Sequence, residues 1–139
     1  MTDLQPNFKL GENVLKNTDE NSFALVELTQ TVIPGEVVKV IGVNSDGTET
    51  VEIISAATDD IKYMIIEAGE SGEMARVLHK GRTKSTFGAT FVSGVRLEFT
   101  TASKVITAAG TNPTKATAVD GGILDDTGFI DFDGGITPP

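Results

Sequence analysis

The chain has 139 residues, with 20 Asp and Glu against 11 Lys and Arg, one His and no Cys, for a formal charge of −9. That length fits a single domain able to bury its own core. The absence of Cys excludes disulfides, thiolate metal sites and thiol nucleophiles, and with His79 as the sole imidazole, multi-histidine metal centres are excluded too.

The opening stretch Met1-Thr2-Asp3-Leu4-Gln5-Pro6 lacks the basic and apolar regions of a secretory signal, and no apolar run approaches the ~18 residues of a membrane span. The expectation is a soluble protein with no membrane partner. Net acidity disfavours nucleic acid as a partner, because neutralising phosphates takes a surplus of Lys and Arg. The charge is uneven, however: residues 1–75 carry a net −10, residues 76–104 a net +5 and residues 105–139 a net −4. Such an arrangement suits subunit contacts or docking on a charged protein surface, unless the fold itself brings the blocks together. Arg76, Lys80, Arg82, Lys84 and Arg96, all in the basic block, are the candidate interface residues.

In chain order, residues 1–22 are polar, without a sustained period, and read as a flexible N-terminal arm. From Phe23 onward, short runs rich in β-branched residues alternate with turn signals about every ten residues, the pattern of an all-β sandwich or barrel. Strands are expected at residues 24–29, 37–43, 50–54, 62–67 and 74–79. Pro34-Gly35 is a type II turn with positive φ at Gly35, and Asp46-Gly47 closes a hairpin. Gly81 is expected to end the fifth strand, leaving Lys80 to Thr86 as a basic loop. Further strands are expected at 90–92, 95–100, 104–107, 117–119 and 128–132, and residues 134–139 read as a tail. No stretch has the length and caps of a long helix. The recurring strand followed by a Gly-containing turn is what any meander gives, so no internal repeat is assigned. The expected domain, residues 23–133, is all-β and small, a sandwich or barrel.

Few residues carry chemistry. Asp131-x-Asp133-Gly134 resembles a fragment of a calcium loop but lacks its third ligand position and its closing Glu. The plainer reading points Asp131 and Asp133 outward from a strand whose Ile130 and Phe132 face inward. His79 has no nucleophile motif around it, and the Gly-rich segments lack the Gly-Lys-Ser/Thr end of a phosphate loop. Phe87 and Phe91 beside the basic segment are either stacking platforms for a single strand or core residues. No catalytic residue, metal or cofactor is assigned, and the expectation is a protein that is not an enzyme.

Several segments together carry a family resemblance: Pro34-Gly35-Glu36-Val37-Val38, Ile65-Ile66-Glu67-Ala68-Gly69-Glu70-Ser71-Gly72, Arg76-Val77-x-x-x-Gly81, the stretch from Ala89 to Gly94 before Leu97, and Ala116-Thr117-Ala118-Val119-Asp120-Gly121-Gly122. The whole resembles the head decoration (capsid cement) proteins of tailed bacteriophages and is similar in layout to the phage lambda decoration proteins, although Gly94-Val95 stands where they often have Gly-Asp. The resemblance implies a β-tulip-like domain that forms homotrimers on the outside of an expanded capsid. Its partner would be the major capsid protein, and its place the virion. Leu4, Pro6, Phe8 and Leu10 are the arm residues that would order on the shell by adding a strand to an exposed edge. The other reading is a tail, fibre or baseplate β-domain acting in adhesion or glycan binding.

Overall fold

The computed structural model describes residues 21–110 and 112–135, and among them there is no helix. The expected arm residues Leu4, Pro6, Phe8 and Leu10 lie outside the described residues. Nine strands follow in order: β1 (Ser22–Leu28), β2 (Val37–Val43), β3 (Glu49–Ile53), β4 (Tyr63–Ile65), β5 (Met74–Thr86), β6 (Arg96–Phe99), β7 (Val105–Thr107), β8 (Ala116–Ala118) and β9 (Thr127–Asp133). The all-β expectation holds.

The strands make two rings that share β5. Hydrogen bonding runs β1-β3-β2-β4-β5, and β5 returns to β1, closing ring 1. It then continues β5-β9-β8-β6-β7, and a parallel bridge between Val105 and Phe87, one residue beyond β5, closes ring 2. Residues 74–80 of β5 pair with β1 and residues 80–86 with β9, Lys80 pairing with both. Gly81, at φ +152°, stands at the changeover, where a Cβ would lie 2.3 Å from Asn21 Oδ1. It therefore passes the strand from one ring to the next instead of ending it, and the expected basic loop is strand. The periodicity was hidden because the inward positions there are Gly81, Thr83 and Ser85. Residues 90–92, expected as a strand, contribute only a bridge from Phe91 to Gly122.

The two rings are copies of one design. Phe23↔Leu78, Met64↔Leu78 and Val37↔Met64 in ring 1 reappear in ring 2 as Arg82↔Asp131, Thr117↔Asp131 and Arg96↔Thr117. The parallel pair Leu28↔Val51 reappears as Phe87↔Val105. Turns repeat as well: Val32 exchanges hydrogen bonds with Gly69, and Phe91 with Gly122. Even side-chain caps recur, since Glu67 accepts from the Arg76 N–H and Asp120 from the Phe129 N–H. An internal repeat, not assigned from sequence, is thus present in the fold.

Core positions show why it left so little trace. Leu28, Val32, Tyr63, Ile65 and Ala75 line ring 1; their counterparts are Phe87, Phe91, Ala116, Ala118 and Gly128. Two larger residues on one side of ring 2 are offset by smaller ones opposite, which conserves volume while erasing identity. Phe87 and Phe91 pack with ring centroids 4.4 Å apart inside ring 2, so they are core residues and present no stacking face. Val37, Ile61, Met64 and Leu78 of ring 1 belong to the same buried cluster as the ring 2 core, so the rings are joined by burial. Gly134, expected to start a tail, is buried: its N–H donates to the His79 carbonyl at 2.8 Å.

Candidate interaction surface

Alternation along β5 turns its charged residues outward. Arg76, Lys80, Arg82 and Lys84 are exposed, while Ala75, Val77, Gly81 and Ser85 face inward. The same spacing divides the candidates between rings. Arg76 lies over the Phe23 ring at 4.8 Å on ring 1, and Lys84 lies over Phe129 at 5.3 Å on ring 2. Arg82 makes two bonds to the Asp131 carboxylate, at 2.9 and 3.2 Å. Arg96 sits two strands further round on β6, reached from Asp131 through Thr117 on β8. Arg82, Asp131, Thr117 and Arg96 thus form one exposed cross-strand row.

This row and Lys80 border an open cleft of about 620 Å³. The fold neutralises part of the basic block: Arg82 through Asp131, and Lys104 through Asp125 at 3.1 Å. Lys80 and Arg96 make no ion pair among the described residues, which leaves the cleft with two uncommitted cations. Such exposed pairs contribute little to stability. Two residues of the cleft escaped sequence reasoning. Lys115 is fully buried, bonding the exposed Asp60 at 2.8 Å and the Gly134 carbonyl at 3.1 Å. Thr114 is buried, and its hydroxyl has no hydrogen-bond partner among the described residues. Neither stands in a pattern that sequence alone distinguishes.

The acidic C-terminal stretch is dispersed. Asp125 pairs with Lys104, Asp126 accepts from the Ile123 N–H, Asp131 binds Arg82, and Asp133 accepts from the Gly135 N–H. Asp131 is exposed and Ile130 and Phe132 are buried, as the strand reading expects. Among the described residues no three His, Asp or Glu side chains converge as metal ligands would.

A second polar cluster links β3, β4 and β5. Glu49 accepts from Lys62 Nζ at 2.8 Å and from the Tyr63 hydroxyl. Burial pushes the Glu49 carboxyl up, but these two donors and the Lys62 charge outweigh it and hold it below the usual carboxylate range. Burial, and then the bond to Glu49, push the Tyr63 phenol up. His79 is half-buried with its ring centroid 5.5 Å from that of Tyr63. The cluster ties three strands of ring 1 together.

No family model matches the chain, and no curated protein matches it. Among solved structures the chain is similar in fold to the head fiber gp8.5 N base of bacteriophage phi29. The TM-score is 0.62 at 9% sequence identity, and the match covers 86% of this chain and 98% of that one. A match of that extent is longer than either ring alone, so the likeness takes in the two-ring arrangement.

Proposed function

We propose that this chain is a structural component of a phage virion that attaches to the outside of the expanded head as a trimeric decoration protein. The observation that carries the reading is the fold shared with a phage head-fibre base over nearly all of that solved chain. The resemblance of its turn segments to phage decoration proteins agrees with it. The surface also suits adhesion, presenting charged and apolar groups on rigid strands while the titratable groups are dispersed into structural pairs. On this reading the protein is not an enzyme, and residues 1–22, with Leu4, Pro6, Phe8 and Leu10, supply the contact with the major capsid protein.

The same comparison favours a second reading, the base of a head fibre, in which the chain carries a further adhesive element instead of cementing the shell. Mixing the purified protein with expanded capsids and sedimenting the mixture tests both. Co-sedimentation that raises the capsid's resistance to heat supports decoration, and co-sedimentation without added resistance supports a fibre base. Absence of co-sedimentation overturns both. Deleting residues 2–20 is expected to abolish binding while leaving the fold intact; undiminished binding would remove the arm from the model.

A further inference from the structure

The duplicated rings use one face in opposite ways. On ring 1 the row Phe23, Leu78, Met64 and Val37 is apolar, and its last three members are buried because ring 2 covers them. The β6–β7 turn, residues 100–104, reaches over this face, where its Ser103 hydroxyl accepts the Val37 N–H at 3.1 Å. On ring 2 the row in the same register is Arg82, Asp131, Thr117 and Arg96, and it is open. Ring 1 thus holds a ring on the face that ring 2 leaves free.

We propose that this ring 2 face docks a second copy of the chain by receiving the end of that copy's β2–β3 hairpin. Three observations select this occupant. By the ring equivalence, the counterpart of the β6–β7 turn is the hairpin end, residues 41–50. This segment is longer than the turn, and Ile41 and Val43 are exposed there at 49% and 66%. Its charge is complementary: Asp46 is exposed on the hairpin, and Glu27 is joined to the hairpin by the Asn44 amide at 2.7 Å, whereas the receiving face offers Lys80 and Arg96. Finally, the receiving face is already an interface in ring 1, so the intermolecular contact repeats an existing docking geometry with a charged surface in place of an apolar one. A contact of this kind is head-to-tail, which generates a closed ring of subunits if its rotation closes and a filament if it does not. The proposal rests on the oligomeric part of the functional reading above and specifies its interface.

The absence of native Cys makes the test direct. Full-length Asp46→Cys and Arg96→Cys variants are mixed under mild oxidation, with Ser71→Cys, in the turn preceding β5 of ring 1, as the exposed control partner for Asp46→Cys. Disulfide heterodimers forming at least tenfold faster between the first pair than with the control are expected; equal rates overturn the proposal. In a second arm, Arg96→Glu is expected to lower the sedimenting mass of the wild-type oligomer, and adding Asp46→Arg in the same chain to restore it. A wild-type oligomer indifferent to both arms would show this interface to be wrong while self-association stands. A wild-type monomer that gives no selective cross-link fails on both counts. Arg96→Glu that preserves self-association yet abolishes capsid binding would assign the face to the shell and overturn the proposal.

Discussion

Gly35 and Gly94 perform the same task in the two rings: each takes a positive φ, +97° and +88°, and each donates its N–H at 2.8 Å to a strand carbonyl, Ile65 in ring 1 and Ala118 in ring 2. The turn they form hands the chain from a bridge residue, Val32 or Phe91, into β2 or β6. Gly72 and Asp125 hold the corresponding positive φ in the other turn of each ring. The duplication is therefore most exact in its turns, where backbone conformation limits the choice of residue.

Gly35→Ala and Gly94→Ala isolate that backbone requirement. A Cβ at either position meets nothing within 4 Å, so no clash contributes. Each substitution is expected to lower unfolding stability by ~1 kcal/mol, the cost of holding an L-residue in left-handed conformation. Asn at the same site should recover part of the loss. Urea titration reads both; an Ala variant as stable as the parent would show that the turn relaxes to another geometry.

Phe87 and Gly128 test the size exchange between the cores. A Cβ on Gly128 would lie 2.6 Å from Phe87 Cζ, so Gly128→Ala alone is expected to cost about 2 kcal/mol by overpacking. Ring 1 solves the same place with Leu28 and Ala75. Combining Gly128→Ala with Phe87→Leu should therefore cost less than the two single changes summed, by about 1 kcal/mol or more. Simple additivity in the double-mutant cycle would mean that the two cores are not volume-compensated copies.

Turns and most strands are legible in the sequence because their signals are local. Pro34-Gly35 and Asp46-Gly47 dictate turns, and the run from Val37 to Val43 has few alternatives to a strand. The five residues Gly35, Gly69, Gly72, Gly94 and Gly122, which lie in the segments that carry the family resemblance, are all at the repeated turns. What stayed hidden depends on partners distant in sequence. The second half of β5 has small or polar residues facing inward, and only pairing with β9 identifies it as a strand. Over the segments 22–43 and 63–80 and their counterparts, only Thr31/Thr90, Gly35/Gly94 and Gly69/Gly122 are identical, so the repeat is invisible without the pairing register. The candidate surface was half legible. Charge alone marked Lys80, Arg82, Lys84 and Arg96 as one basic block, but it took the continuation of β5 past Gly81 to put the first three on one side, and three interstrand registers to join Asp131, Thr117 and Arg96 to them.

Acid should unfold the protein through a few identifiable carboxylates. Hydrogen bonding to the Thr48 N–H holds Asp46 below its ordinary 3.8, and the Ser55 N–H and Lys39 do the same for Asp59. Glu49 lies below 4.5, with burial outweighed by Lys62 and Tyr63. As pH falls below these ordinary values the unfolded chain takes up protons that the folded chain still refuses. The stability these groups supply is then present above about pH 4.5 and lost as pH drops through their depressed folded values. At the alkaline end the bonds of Lys39 to Asp59 and of Lys62 to Glu49 raise both ammonium groups above 10.5, so their contribution is lost as pH rises through the raised values. Urea midpoints at about pH 6 and pH 3 should differ less in Glu49→Gln than in the parent. An unchanged difference would assign the acid sensitivity elsewhere.

Lys115 and Asp60 are expected to respond unequally to substitution. The ammonium of Lys115 is fully buried between the rings, while the Asp60 side chain is 67% exposed. Removing the Asp60 carboxylate leaves a desolvated charge with neutral acceptors such as the Gly134 carbonyl among the described residues, whereas removing Lys115 returns a carboxylate to water. Because the Asp60 end of the pair is exposed, Asp60→Asn should cost about 1–2 kcal/mol, more than an ordinary surface pair and less than a pair buried at both ends. Lys115→Met keeps the volume and deletes the buried charge at the expense of one hydrogen bond to Gly134, so a change of no more than ~1 kcal/mol is expected. Adding Lys115→Met to Asp60→Asn should recover most of the larger loss, because the charge responsible for it is gone. Denaturant titrations of the two singles and the double decide the matter. Equal losses from both singles with no recovery in the double would mean that Lys115 joins the rings by packing and hydrogen bonding, and that its charge is already compensated without Asp60.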